Sequence, residues 1–153
     1  IGGSNEVEDA NKLMTMVNPN RVINLVNKIT YRQSASLLSF CDYYIGNDTG
    51  TMHAAAALNL PVLNINCFPA DMNMTVMSFP RRYYPYGVPA VILSPKQAYP
   101  ECKESTKPFR ITLGCSSNEP HCINTIDPGV AFRAFQILKQ RAAENNCTPL
   151  YCC

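Results

Sequence analysis

Residues 47–63 read Asn47-Asp48-Thr49-Gly50-Thr51-Met52-His53-Ala54-Ala55-Ala56-Ala57-Leu58-Asn59-Leu60-Pro61-Val62-Leu63, and this stretch decides the fold. The apolar run Tyr43, Tyr44, Ile45 leads into it as a strand. Asp48-Thr49-Gly50 is a tight turn, and the alanine-rich residues 51–58 favour a short helix. A second strand opens at Pro61. A strand–turn–helix–strand unit of this kind aims backbone N–H groups and a helix N-terminus at the space above Gly50. That space suits an anion, and a diphosphate in particular.

Working outward, the same alternation recurs. Residues 5–17 place Val7, Ala10, Leu13, Met14 and Val17 on one helical face, with Asn5 and Glu8 spaced as a capping box. Asn18-Pro19-Asn20 ends that helix, and residues 22–26 fit a short buried strand. Thr30 and Gln33 form a second capping box, opening a helix to about Phe40. Strands are expected over 42–46, 61–66 and 88–93. Asp127 as N-cap and Pro128 at the first helical position open a last helix, with Val130, Ala134, Ile137 and Leu138 on its buried face. Residues 68–86 and 94–126 break the alternation and read as long irregular segments. Alternating strands and helices imply βαβ units, hence an α/β fold with a parallel sheet and ligands beyond the C-terminal strand ends. No Gly-x-Gly-x-x-Gly fingerprint of a dinucleotide site is present.

Composition narrows the class. With 153 residues, 46% apolar and 16% charged, the chain is long enough for one domain with a real core. A formal charge of +2 gives no reason to expect nucleic acid as a partner. The charge is uneven, however. Arg81, Arg82, Lys96, Lys103, Lys107 and Arg110 face only Glu101 and Glu104 in the same segment. That segment is either a solvated loop region or a surface for anionic substrate or lipid headgroups. No run approaches the roughly 20 apolar residues that span a bilayer. Ile1-Gly2-Gly3 reads as the end of a strand and its turn, so the domain's first strand is expected to be truncated.

Of the eight cysteines, Cys41 and Cys67 lie in apolar segments and are expected to be inert core thiols. Cys102, Cys115 and Cys122 share one irregular region, whether free, bridged or metal-bound. Without a Cys-x-x-Cys pair, a zinc site is the lesser reading. Cys147, Cys152 and Cys153 are expected in a flexible tail over residues 144–153. A reducing cytoplasm is the default compartment.

The run Ile45-Gly46-Asn47-Asp48-Thr49-Gly50-Thr51-Met52-His53 with its Ala-Ala-Leu continuation and Pro61-Val62 resembles the core motif of the heptosyltransferase-type glycosyltransferases of lipopolysaccharide synthesis. In that family Asp-Ser/Thr-Gly-x-x-His opens a helix that an Ala-Ala-Leu run and a Pro-Val strand follow. Gly2-Gly3-Ser4-Asn5-Glu6, Phe68-Pro69-Ala70-Asp71, Tyr84-Pro85-Tyr86-Gly87 and Cys122 before Ile126-Asp127-Pro128 resemble further family landmarks, so the likeness spans residues 1–143.

The resemblance implies a Rossmann-like domain, the C-terminal, donor-binding half of a two-domain GT-B enzyme. It implies that Glu6 accepts hydrogen bonds from the ribose and that Ile29 lies against the adenine of an ADP-linked sugar. Asp48 would hold the sugar hydroxyls, while Thr49, Gly50 and Thr51 present amides and hydroxyls to the diphosphate with His53 beside it. Transfer would invert the anomeric centre, with heptose as the expected sugar and a lipid-linked core oligosaccharide as acceptor. The work would be done in the cytoplasm, peripheral to the inner membrane. No cofactor is implied, and no Asp-x-Asp pair suggests a metal. The general base and most of the acceptor site would lie in the N-terminal domain, so no catalytic residue is expected within this chain and the piece alone is expected to be inactive. The Pro- and Cys-rich residues 94–126 are longer than in compact members.

Three rivals are weighed against it. Asp-Thr-Gly is also the aspartic-protease triplet, but that site needs two such aspartates and β-structure after each, where this chain has one and a helix. A nucleotide-sugar epimerase of the same architecture would carry acids where Met52-His53-Ala54 stands. A non-catalytic nucleotide-sugar-binding module would use the same pocket without chemistry. Single residues have plain readings too: His53 as a helix-packing group, Glu6 as a first-turn dipole partner, His121 as structural.

Overall fold

The computed structural model describes residues 1–67, 69–70, 84–97 and 122–152. They form two compact units, Ile1–Phe40 and Cys41–Cys153, each described by itself.

The larger unit holds a four-stranded sheet in the order β1 (Tyr44–Gly46), β2 (Val62–Ile65), β3 (Ala90–Leu93), β4 (Leu150–Cys152). Every pairing is parallel, with Gly46, Asn64, Ile92 and Tyr151 in register across the four strands. All four residues of β3 are buried, as are Val62, Leu63 and Asn64 of β2. Burial on both faces is what a parallel sheet covered by crossover segments requires. Two helices of this unit are α3 (Gly50–Ala57) and α4 (Pro128–Ala143). On one face Leu63, Val91 and Leu93 pack against Ala134 and Leu138 of α4, and Ile65, Val130, Leu150 and Cys152 close round them. Tyr43 meets Phe135 of α4 edge to face, with ring centroids 5.4 Å apart. Each fully buried leucine there contributes roughly 1.5–3 kcal/mol. The α/β class and the parallel sheet expected from the alternation are what the structure has.

The smaller unit holds α1 (Val7–Met16) and α2 (Tyr31–Leu38). The Thr30–Gln33 capping box forms as its spacing predicts: the Gln33 N–H donates to Thr30 Oγ1 at 3.3 Å, and the Thr30 N–H to Gln33 Oε1 at 2.8 Å. The Asn5–Glu8 box does not form. A single 3₁₀ turn, Ser4–Glu6, precedes α1 instead, and Gly3 N–H donates to Glu6 Oε2 at 2.6 Å. Residues 22–26 are not a strand. Asn24 folds that segment on itself, Oδ1 accepting from Val26 N–H at 3.0 Å and its carbonyl from the Lys28 ammonium at 2.9 Å. Such a local side-chain bond competes with a ladder.

Two further expectations are corrected. Within the expected flexible tail, Leu150–Cys152 is β4, and the Ser94 N–H donates to the Cys152 carbonyl at 2.9 Å. Arg141 of α4 pins the return, donating to Asn146 Oδ1 and to the Thr148 carbonyl. Cys41 is exposed and not a core thiol, since it falls after α2 and before the sheet begins. Cys102, Cys115, His121, Phe68, Asp71 and the basic residues Arg81, Arg82, Lys103, Lys107 and Arg110 lie outside the described residues.

Candidate functional site

β1 ends at Gly46 and α3 begins at Gly50, so Asn47, Asp48 and Thr49 form the loop at the C-terminal end of a parallel strand. Thr49 is the N-cap, with φ −143° and ψ 169°. Its carbonyl accepts from Met52 N–H at 3.0 Å and from His53 N–H at 3.4 Å, which starts the helix. Its side chain makes no capping bond. Met52, Ala55 and Ala56 are buried and anchor α3, leaving His53 on the exposed side.

Asp48 and His53 stand together, Oδ1 and Nε2 being 3.6 Å apart, with the histidine side chain 48% exposed and the aspartate 25%. That separation is too long for a hydrogen bond but close enough for charge to matter. Burial pushes the Asp48 carboxyl above the usual carboxylate range, and His53 pulls it part of the way back. A half-buried carboxylate without a tight partner is an acceptor in search of donors, and sugar hydroxyls are such donors.

Behind the turn lies Tyr44, 9% exposed. Burial raises its hydroxyl pKa, and a side-chain hydrogen bond with Thr49 opposes that shift. The tyrosine passes over Gly46: a Cβ there would sit 2.6 Å from the Tyr44 hydroxyl and 2.8 Å from Cζ. The next strand brings Asn64 into register with Gly46. Asn64 is buried and its Oδ1 has no hydrogen-bond partner.

The structure thus brings Asp48, Thr49, Gly50, Thr51 and His53 into one turn at the head of α3. Glu6 and Ile29 belong to the smaller unit. There the exposed Glu6 carboxylate accepts from the Gly3 backbone, and Ile29 is half-buried just before the Thr30 cap. Reading the residues alone overlooked Tyr44. The signal for it is its spacing from Gly46, since residues two apart on a strand share a face and a glycine leaves that face open. Among the described residues no helix is long and apolar enough to cross a membrane.

The family model described as "Glycosyltransferase family 9 (heptosyltransferase)" matches residues 2–110. A solved structure, the glycosyl transferase family 9 protein from Veillonella parvula DSM 2008, superposes with a TM-score of 0.63 at 18% identity, over 92% of this chain and 35% of that one. At that identity the likeness is one of fold, and this chain spans about a third of that protein's length. No curated protein matches it.

Proposed function

The chain belongs to glycosyltransferase family 9, the heptosyltransferase family, and from that premise we propose that it is the donor-binding half of an inverting GT-B glycosyltransferase. The donor is a nucleotide-linked sugar, ADP-heptose by the family's chemistry, and the acceptor a lipopolysaccharide core oligosaccharide. The observation that carries this reading is the Asp48-Thr49-Gly50 turn, which sits at a parallel strand end, opens α3 and sets Asp48 beside His53.

The chain's own residues have definite tasks in such a reaction. As the glycosidic bond to the diphosphate breaks, negative charge builds on the leaving phosphate. The positive end of α3 lies where that charge develops, and its fixed N–H dipoles stabilise it without reorganising. Gly50 lets a phosphate approach the backbone, where a side chain would block it. The Asp48 carboxylate accepts hydrogen bonds from sugar hydroxyls and so fixes the anomeric carbon in line for attack. His53, beside Asp48, offers a further donor to the same ligand. Glu6 and Ile29 are the proposed ribose and adenine contacts. The general base is supplied from outside this chain, as is most of the acceptor site. Work at the cytoplasmic face of the inner membrane, with peripheral contact there, is part of the same proposal.

The test is the Asp48→Ala variant of the intact enzyme, assayed for heptose transfer from ADP-heptose with the fold checked by circular dichroism. Transfer falls at least about a hundredfold, the loss expected when a positioning contact to the reacting sugar goes. Full activity in a folded Asp48→Ala protein would sink the assignment.

A further inference from the structure

The residue before a helix's cap often packs against the fourth residue inside the helix, and an apolar pair at these two places fixes the angle at which the chain enters. In α4 Ile126 precedes the cap Asp127, Ala131 is the fourth residue, and both pack against the core. In α3 the same two places hold Asp48 and His53. Their side chains stand 3.6 Å apart between Oδ1 and Nε2, the one ion pair among the described residues. For packing alone the exchange is costly. Asp48 is partly withdrawn from water, so that burial works against its charge and His53 for it. A histidine at the head of a helix gains nothing from the dipole, which favours anions there. With Oδ1 turned to His53, Oδ2 is the oxygen that can accept from a ligand.

Resting on the donor-binding reading above, we propose that His53 is a positioning residue for the donor's sugar, acting through Asp48: it holds the carboxylate by Oδ1 at the head of α3 and so aims Oδ2 at the sugar hydroxyls. An apolar pair would fix the turn equally well but could not orient a carboxylate. An acceptor already held in place loses less freedom when a hydroxyl docks on it. The gain is confined to the sugar. ADP, which lacks the transferred sugar, does not draw on it.

The experiment measures the affinities of ADP and ADP-heptose by calorimetry, without acceptor, for four forms of the intact enzyme: wild type, His53→Ala, Asp48→Asn and the double variant. The quantity read is the advantage of ADP-heptose over ADP, from which any contact of His53 with the diphosphate cancels. Alanine suits a helix, so the His53→Ala protein keeps its fold. That change should reduce the advantage about threefold, the worth of one exposed ion pair, and should reduce it no further in the Asp48→Asn background. A histidine that only packs on the helix would weaken both ligands alike and leave the advantage unchanged, which would overturn the proposal. So would an equal reduction in both Asp48 backgrounds. A preference that survives His53→Ala but is lost in Asp48→Asn removes this inference alone. Wild type that binds neither ligand or does not distinguish them, like an undiminished preference in Asp48→Asn, removes the donor reading and this inference together.

Discussion

The helices α3 and α4 of the sheet unit finish in the same way and start in opposite ways. Both close on an asparagine in the left-handed region, Asn59 at φ 63° and Asn145 at φ 51°. In each, two backbone bonds reach back over the last turn: Asn59 N–H to Ala56 and Leu60 N–H to Ala55, Asn145 N–H to Ala142 and Asn146 N–H to Arg141. This is the paired closure of a Schellman end. At the front, α4 is sealed by Asp127 and Pro128, whereas the Thr49 side chain makes no capping bond to α3. A helix whose task is to cover a sheet satisfies its own N-terminus. On the proposed reading the head of α3 instead receives an anion, which its dipole and backbone N–H groups favour.

Variants can break this contrast. The largest effects come from the buried anchors: Leu138→Ala in α4 and Met52→Ala in α3, both residues fully buried, should each cost roughly 2–5 kcal/mol in urea denaturation. They should differ in ADP affinity of the folded protein, which Leu138→Ala leaves intact and Met52→Ala lowers. Equal behaviour would mean that α3 is only another covering helix. Next is Gly46→Ala, whose new methyl meets the Tyr44 ring. Overpacking should destabilise by about 1–3 kcal/mol, and ADP affinity should fall as the strand end that carries the Asp48 turn shifts.

Asp127→Ala sharpens the other side, removing the cap of α4. It should cost about 1 kcal/mol of stability with ADP binding unchanged; a loss of binding would show the two helices to be coupled. The smallest effect is on pH dependence. The folded protein holds the Asp48 proton more tightly than the unfolded chain does, because burial raises its pKa. Ionisation therefore costs stability, a cost absent below the unfolded value of about 3.9 and fully present above the folded one. Asp48→Asn should melt slightly higher than wild type at pH 7, and that advantage should shrink as pH falls toward 4. A lower melting temperature at pH 7 would show the carboxylate to be satisfied in the fold.

What could be read from the sequence follows the range of the interactions involved. The turn at Asp48-Thr49-Gly50, the Thr30–Gln33 box and the Asp127-Pro128 opening are each set within four residues, and each forms where its spacing puts it. Strand β4 was hidden because Leu150–Cys152 owes its existence to pairing with β3 and to Arg141 folding the chain back. Residues 22–26 misled in the opposite sense. Their apolar character suits a strand, yet Asn24 closes the segment locally and Ile23 stands 81% exposed. The site divides along the same line. Asp48 through His53 is contiguous, so their gathering in one turn can be read from the sequence, but the close approach of Tyr44 to Gly46 needs the strand's pleat.

The most direct test of the central claim is a calorimetric titration of the intact protein and its Gly50→Val variant with ADP, UDP and GDP, in the presence of a chelator. The account predicts selective binding of ADP that survives chelation and is lost in Gly50→Val. Preference for UDP or GDP, ADP binding indifferent to Gly50→Val, or no nucleoside diphosphate bound at all would contradict it.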